Sequence, residues 1–347
     1  MPGAQSFQKT GMANKSVIVV GGGIVGCLTA MQLRKQGHTV TLVERNIVAA
    51  QTSGESSWAG AGIAFPLLPW FYQDVVNELA LAGARAYPAV SAELFAETGI
   101  DPECTRSGML IRPPFDRQQA IAWCHRFGLE VIQQGQDLLI PEVVQIRNPR
   151  LLQSLKAWLI KHGVTLREQT QLMPLQEGAS SIKHWQTTSG EILSADVFVV
   201  TSGAWSFELL KQTALSLDIK PMRGQMLLYQ MLPGLLPHIL YRDGFYMLQR
   251  RDGHLLAGSS LEDVGFDTGV TDSMREEMLQ KAEAMLPELK GQPIVKHWSG
   301  LRPGTPHNIP TIGRHPQIEN LYLNTGHFRY GVTMAPECAR RIAVLLA

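Results

Sequence analysis

The chain has 347 residues, of which 31 are Lys or Arg and 30 are Asp or Glu, so its formal net charge is +1. This length predicts two domains around a large core, and the near-neutral charge gives no general attraction to nucleic acid or acidic lipid. The four cysteines are scattered without a C-x-x-C pair. That pattern argues against a metal site or a disulfide framework and favours a reducing, cytoplasmic compartment. No segment is apolar for long enough to span a bilayer, and the N-terminus lacks the apolar run of a secretory signal.

The first predicted elements form a strand–helix–strand unit. Ser16–Val20 and Thr39–Val43 are apolar, β-branched runs typical of buried strands. A helix is predicted over Leu28–Leu33, and Gly37 is its stop signal. The unit has the length and order of a nucleotide-binding βαβ motif.

The turn of this unit carries glycines at the G-x-G-x-x-G spacing. Gly21 permits a tight turn out of the strand, Gly23 lets a pyrophosphate approach the backbone, and Gly26 lets the helix pack closely on the strand. Unpaired N–H groups at the helix N-terminus favour phosphate, and Glu44 can accept hydrogen bonds from a ribose hydroxyl. The unit predicts a dinucleotide site but does not separate NAD from FAD.

Helices and strands alternate irregularly beyond this unit. Pro88 predicts two helices within Gln73–Thr98, and Pro149 predicts the first turn of a helix that is capped by Asn148 and runs to His162. Further helices are predicted at Asp116–Phe127, Asp272–Leu286 and Gly331–Leu346. Strands are predicted at Gly108–Arg112, Val197–Val200, Lys220–Gln230, Gly244–Arg250, His254–Ser259, Pro293–Leu301 and Leu321–Asn324.

This order predicts an α/β nucleotide-binding domain of the Rossmann type, interleaved with an α+β domain on a largely antiparallel sheet. We assign residues 15–85, 142–214 and 295–347 to the nucleotide domain and residues 86–141 and 215–294 to the second domain. The second domain is expected to bind the substrate.

Longer motifs follow one another along nearly the whole chain. They are VIVVGGGIVG at the start, ESSWAGAGI at Glu55–Ile63, RNPRLL at Arg147–Leu152, VVTSGAWS at Val199–Ser206, GFYMLQRRDGHLLAGSSLED at Gly244–Asp263, HWSGLRPGTPHNIPTIG at His297–Gly313 and LYLNTGHFRYGVTMAPECA at Leu321–Ala339. Together they resemble the flavin-dependent amine and amino-acid oxidases, which include D-amino-acid, sarcosine and glycine oxidases. The resemblance is closest to the glycine oxidases of thiamine biosynthesis.

The resemblance implies noncovalent FAD in a domain of the glutathione-reductase type. The loop with Ser53 would run along the flavin, and N–H groups of Gly326–Gly331 would face its N1–C2=O edge. The implied cofactor contacts are Gly21, Gly23, Ile24, Val25, Gly26, Glu44, Arg45, Ser53, Ala61, Gly62, Ile63, Gly203, Gly326, His327, Arg329, Tyr330 and Gly331.

The resemblance also implies a substrate site. Arg302 would grip a carboxylate with two parallel hydrogen bonds, although by itself it would read as a surface arginine. Tyr246 would add a carboxylate contact, although alone it would read as ordinary core. Arg329 would either add positive potential near substrate or flavin, or pair with an acid in its loop. Tyr330 departs from the smaller polar residue usual in the family, and His307-Asn308 stands where an acid is common.

The implied reaction is oxidation of glycine or another small amino acid. Hydride passes from Cα to flavin N5, the imine hydrolyses to an α-keto acid and ammonia, and dioxygen becomes hydrogen peroxide. The alternatives are a D-amino-acid dehydrogenase with a quinone acceptor, a tRNA-modification oxidase, and a flavin-binding protein without turnover. The near-neutral charge counts against RNA. The partners expected are therefore a small amino acid and dioxygen, and the sequence is compatible with a homo-oligomer.

Overall fold

A computed structural model describes residues 14–52, 54–176, 178 and 180–347. The predicted flavin contact Ser53 lies outside the described residues. The α-helices are α1 (Ile24–Lys35), α2 (Ser56–Ala59), α3 (Asp74–Thr98), α4 (Arg117–Arg126), α5 (Asn148–Lys161), α6 (Ser206–Leu210), α7 (Asp272–Met285) and α8 (Gly331–Leu346).

The strands include both long ladder strands and two-residue bridges. In chain order they are β1 (Ser16–Val20), β2 (Thr39–Val43), β3 (Ile63–Ala64), β4 (Thr105–Arg106), β5 (Met109–Arg112), β6 (Ile132–Gln134), β7 (Asp137–Ile140), β8 (Val144–Gln145), β9 (Thr165–Arg167), β10 (Trp185–Gln186), β11 (Ile192–Leu193), β12 (Val197–Val200), β13 (Lys220–Gln230), β14 (Ile239–Arg242), β15 (Phe245–Gln249), β16 (His254–Gly258), β17 (Lys296–Gly304), β18 (Thr311–Arg314) and β19 (Leu321–Thr325).

One sheet has the order β18-β19-β12-β1-β2-β9 and is parallel except for the edge strand β18. Its central strand β1 is covered on both faces: Val17 and Val19 belong to one apolar cluster, while Ile18 and Val20 belong to another. Burial of both faces explains the uninterrupted apolar run, which is typical of parallel strands. The predicted Rossmann-type unit is confirmed.

A second sheet has the order β17-β13-β16-β15-β14-β5-β7-β6 and is antiparallel except between β14 and β5. Its longest ladder joins β13 to β17 over nine residue pairs, from Lys220 opposite Gly304 to Leu228 opposite Lys296. Helix α7 covers one face of this sheet, where Phe245 and Met247 pack. The predicted fold class, a nucleotide domain interleaved with a largely antiparallel second sheet, is confirmed.

The prediction of two helices separated at Pro88 is wrong, because α3 is one helix through that position. Helix α3 lies against α8, and a Cβ on Gly83 would stand 2.2 Å from the carbonyl oxygen of Thr333. The Tyr87 hydroxyl donates to Val332 O at 2.5 Å. Proline removes one hydrogen bond and strains the preceding turn, and this close packing on α8 offsets that cost.

The predicted cap of α5 is also wrong, because Arg147 holds the cap position and Asn148 is the first helical residue. The fully buried Asn148 side chain instead donates from Nδ2 to Ser57 O at 2.8 Å and to Gly60 O at 2.9 Å. The Asn148 side chain therefore holds the ESSWAGAGI segment against α5 and does not cap the helix.

The domain boundaries remain a prediction, with two features of the structure bearing on them. The boundary after residue 85 falls inside the continuous helix α3. Residues 296–304, assigned to the nucleotide domain, form the edge strand β17 of the second sheet. None of the helices in the described part of the chain is long and apolar enough to cross a membrane.

Candidate active site

A cavity of about 700 Å³ lies where the carboxyl ends of the parallel strands meet β13 and β17 of the second sheet. Volumes of this size are usual for ligand sites, which favour sheet ends and domain junctions. The sequence-predicted residues that line it are Gly21, Gly23, Ile24, Val25, Glu44, Arg45, Gly203, Arg302, His327, Arg329 and Gly331. Those that lie outside its wall are Gly26, Ala61, Gly62, Ile63, Tyr246, Gly326 and Tyr330.

The glycine turn after β1 is packed too tightly for side chains. Gly21 has a φ of +114°, and a Cβ there would lie 2.7 Å from Thr201 O. A Cβ on Gly26 would lie 1.8 Å from Gly21 O. The absence of both side chains brings α1 against the turn, so the helix N-terminus opens directly into the cavity.

The N-terminus of α1 already has one polar neighbour from the ESSWAGAGI segment. The Ile24 N–H donates to Ser57 Oγ at 3.0 Å, and a Cβ on Gly23 would lie 2.8 Å from the same oxygen. All three residues line the cavity. Free helix N–H groups with a hydroxyl beside them form a site suited to an anion such as phosphate.

Glu44 directly follows β2 and accepts two backbone hydrogen bonds. Gly22 N–H donates to Oε2 at 2.7 Å, and Asn46 N–H donates to Oε1 at 2.8 Å. Burial raises the pKa of the carboxyl, and these two donors act in the opposite direction. The Arg45 guanidinium lies 3.5 Å above the centre of the Trp205 ring, which forms an aromatic and cationic wall at this end of the cavity.

The small residues Ala61, Gly62 and Ile63 are engaged mainly with other parts of the protein. A Cβ on Gly62 would lie 2.0 Å from Ile146 O, and Ala61 O accepts a hydrogen bond of 2.6 Å from the buried Arg250. Ile63 O accepts from Thr333 Oγ1 at 3.0 Å. The close packing of Gly62 against Ile146, in the connection between β8 and α5, is therefore sufficient to explain why a glycine occurs at this position.

Two buried polar atoms on the cavity wall have no hydrogen-bond partner among the described residues: Asn324 Oδ1 and His327 Nε2. Burial lowers the pKa of His327 to about 4, so its ring is neutral at pH 7. Buried polar atoms are seldom left without partners, so a bound polar group is the expected partner of these two. Gly326, behind them, has a φ of +77° and turns the chain into the Gly331 end of α8.

Tyr330 is fully buried, and its side chain makes its contacts in the protein interior. Its hydroxyl accepts from Leu67 N–H and donates to Leu67 O, each at 3.2 Å. Its ring stands edge-on to Tyr72 at 5.3 Å. Burial raises its pKa well above the ordinary value, so it stays a neutral phenol. The Tyr330 hydroxyl therefore anchors the chain at Leu67.

Arg302 lies within β17, not after a strand as predicted, and its guanidinium reaches the cavity. Nη1 donates to Ser260 O at 3.2 Å and Nη2 donates to Ser259 Oγ at 2.8 Å. Burial lowers its pKa and the neighbouring Tyr246 acts in the opposite direction. The guanidinium crosses the backbone of β13 at Gly224, where a Cβ would lie 1.9 Å from Nη1.

Tyr246 follows the predicted alternation, since Phe245 and Met247 pack on the α7 face while Tyr246 joins the opposite cluster. Its hydroxyl donates to Met226 Sδ at 3.5 Å, and Met226 lines the cavity. The unbranched Met226 side chain is adaptable, and it contacts this hydroxyl from a position on the cavity wall.

Arg329 also lines the cavity near Arg302, and its charge contributes to lowering the Arg302 pKa. Among the described residues no carboxylate oxygen lies within 4 Å of either guanidinium. The predicted pairing of Arg329 with an acid of its loop is therefore not seen in this part of the chain. The described residues also contain no cluster of three His, Cys, Asp or Glu residues able to hold a metal ion.

Sequence reasoning missed Gly224, Ser57 and Asn324 as residues of the site. Gly224 carried a usable signal, because a glycine inside a predicted strand marks a close approach of another group. Ser57 lies within the ESSWAGAGI motif, from which no role for it was predicted. Asn324 carried no local signal, because the missing partner of its Oδ1 is visible only after folding.

Residues 16–345 match the family described as FAD dependent oxidoreductase (DAO), and the chain belongs to this family. The site fits the cofactor that the family name requires. The glycine turn opens the α1 N-terminus, Glu44 lies at the end of β2, and the unpartnered Asn324 and His327 atoms lie at the α8 end.

The most similar curated relatives include two glycine oxidases. The chain is 38% identical to that of Pseudomonas putida strain KT2440, covering 96% of this chain and 94% of the relative. It is 39% identical to that of Pseudomonas aeruginosa strain PAO1, covering 96% and 95%. The crystal structure of glycine oxidase from Bacillus cereus ATCC 14579 has the same fold, with a TM-score of 0.85, 24% identity, and coverage of 96% and 95%.

Replacing Gly23 with valine should abolish FAD binding. The side chain would fill the approach to the α1 N-terminus, where its Cβ alone would lie 2.8 Å from Ser57 Oγ. The measurement is the flavin-to-protein ratio after purification, with circular dichroism as the test of folding. Thr39→Val, at an exposed position of the neighbouring strand β2, is the control. A folded Gly23→Val protein with stoichiometric FAD would contradict the placement of the pyrophosphate.

Proposed function

We propose that this protein oxidises glycine or a similarly small amino acid, using FAD, to an α-keto acid, ammonia and hydrogen peroxide. The observation that carries the proposal is the Arg302 guanidinium, which reaches the cavity with no carboxylate of the described residues beside it. The relatives that are 38% and 39% identical over nearly their whole length are glycine oxidases, which supports the same conclusion.

Arg302 is suited to bind the substrate carboxylate. A guanidinium has five N–H donors, and the bonds to Ser259 and Ser260 occupy only part of them. The remaining donors can form two parallel hydrogen bonds with a carboxylate, which fixes orientation as well as charge. The Tyr246 hydroxyl, which neighbours Arg302 and contacts Met226 on the cavity wall, is assigned as a further donor to the carboxylate.

The same charges favour the reactive form of the substrate. A neighbouring cation disfavours protonation of an amine, and both Arg302 and Arg329 line this part of the cavity. We therefore assign to them the maintenance of a neutral amine while the carboxylate is held. FAD supplies the two-electron acceptor when it is bound, and the protein supplies orientation and electrostatics.

The test is anaerobic mixing of the holoenzyme with glycine, sarcosine and D-alanine while the flavin absorbance is followed. Bleaching by glycine, followed by oxygen uptake and peroxide release on aeration, is the expected result. Bleaching without oxygen uptake, together with reduction of a quinone or dye, would instead indicate a dehydrogenase. A flavin that no amino acid reduces would overturn the proposal.

Arg302→Leu should retain FAD and lose most of its activity, because the substrate carboxylate would be buried without a partner. Breaking a buried ion pair by removing one member costs about 3–5 kcal/mol, or roughly two to four orders of magnitude in kcat/KM. Arg302→Lys should recover only part, since it keeps the charge but loses the planar fork. The measurements are steady-state kinetics and the perturbation of the flavin spectrum by glycolate. Normal glycolate binding by Arg302→Leu would shift the anchor to Arg329.

Tyr246→Phe should lower kcat/KM by about ten- to a hundredfold, because a hydrogen bond to a charged group contributes about 1.5–3 kcal/mol. Steady-state kinetics with glycine provide the measurement. The control is Tyr322→Phe, at a tyrosine on β19 outside the cavity wall. Unchanged kinetics would identify Tyr246 as a packing residue only.

Gly224→Ala should raise the KM for glycine while FAD is retained. The new methyl group would overlap Arg302 Nη1 and Cζ, at 1.9 and 2.3 Å, so the guanidinium has to move. Gly304→Ala is a matched control in the same sheet, because its methyl group would meet Met222 Cγ at 2.5 Å and not Arg302. Equal KM values for the parent and Gly224→Ala would show that Arg302 need not lie over Gly224.

A further inference from the structure

The Arg302 guanidinium is held by residues of the loop that follows β16. Both residues that accept its hydrogen bonds, Ser259 and Ser260, belong to this loop. The position of the guanidinium therefore depends on what fixes the loop. One edge of the loop is tied to β13 by the backbone, since Ser260 N–H donates to Gln225 O at 3.3 Å.

Glu262 fixes the same loop through its side chain. Ser260 Oγ donates to Glu262 Oε1 at 2.6 Å, and Gln225 Nε2 donates to the same oxygen at 3.0 Å. On the other side, Arg223 Nη2 donates to Glu262 Oε2 at 2.7 Å. Arg223 and Glu262 also exchange both backbone hydrogen bonds, each at 2.9 Å. Every contact of this carboxylate is one in which it accepts.

Arg223 and Glu262 form an ion pair that is largely buried. The side chains of Arg223 and Glu262 are 4% and 15% exposed. Burial alone would raise the pKa of Glu262, but hydrogen bonds from Arg223, Ser260 and Gln225 hold it below the ordinary value. Glu262 is therefore ionised at pH 7. It does not line the cavity; it contacts the site through Ser260, and its charge acts to raise the pKa of Arg302.

We propose that Glu262 is a positioning residue for the substrate carboxylate: its ionised side chain fixes Ser259 and Ser260, and these hold the Arg302 guanidinium in place. The inference rests on the proposed function for its substrate. Its structural part, that Glu262 sets the place of Arg302, is independent of that function. Side chains of Arg223, Gln225 and Ser260 all donate hydrogen bonds to this carboxylate. An amide of the same shape carries an NH₂ group in place of one oxygen, so in either orientation its N–H groups face at least one of these donors.

The test is Glu262→Gln in the holoenzyme, compared with Asp263→Asn. Asp263 is the adjacent acid, and it pairs with Lys220 at the exposed surface. Glu262→Gln should keep FAD, weaken glycolate binding by about tenfold or more, and raise the KM for glycine by a similar factor with a smaller change in kcat. Glu262→Asp, which keeps the charge, should recover part of the loss. Asp263→Asn should match the parent.

A double-mutant cycle separates positioning from general destabilisation. In the Arg302→Leu background, Glu262→Gln should cause no further loss of kcat/KM, because the group it positions is gone. A loss of the same factor in both backgrounds, or unchanged glycolate affinity in Glu262→Gln alone, would overturn the proposal.

Crystal structures of the parent and of Glu262→Gln test the position of Arg302 directly, without a measurement of activity. The expected difference is a displaced Arg302 that no longer donates to Ser259 Oγ and Ser260 O. An Arg302 in the same place in both would overturn the inference even if glycine is oxidised. A displaced Arg302 in a protein that oxidises no amino acid would support the inference and refute the proposed function.

Discussion

The site depends on a partly buried cation, Arg302, that the described residues leave without a carboxylate partner. Taking a guanidinium out of water costs several kcal/mol unless nearby groups replace the lost hydration. Around Arg302 that replacement is a hydroxyl and a carbonyl, from Ser259 and Ser260. A substrate carboxylate provides the missing partner, so the partial burial that is unfavourable for an unpaired guanidinium favours binding of an acid.

The ladder between β13 and β17 gives this cation a fixed place relative to the nucleotide domain. Arg302 lies on β17, while Arg223, Gly224 and Gln225, which accommodate it or hold its loop, lie on β13. The edge of the ladder is bonded to the residue that directly precedes the ESSWAGAGI segment, because Leu301 N–H donates to Gly54 O at 3.2 Å. Backbone hydrogen bonds, which have short and well-defined geometry, thus link the candidate carboxylate anchor to the cofactor side of the cavity.

Sequence reasoning was accurate where local pattern and tertiary environment agree. The apolar strand, the glycine turn and the acidic end of β2 formed as predicted, and alternation on β15 placed Tyr246 on the opposite face from Phe245. It was wrong where packing outweighed propensity. Pro88 did not divide α3, because α8 supports the helix, and Asn148 bonds the neighbouring segment instead of capping α5.

The parallel unit and the family could be predicted from the sequence alone, because uninterrupted apolar runs, glycine spacing and ordered motifs are encoded in short stretches of chain. Only the tertiary structure decided which distant residues share the cavity wall. The space that Gly224 leaves for Arg302, the missing partners of Asn324 and His327, and the carboxylate of Glu262 beneath the Ser260 loop each join segments far apart in sequence. No local pattern specifies such contacts, because their energies depend on burial and on the groups that folding brings within hydrogen-bond distance.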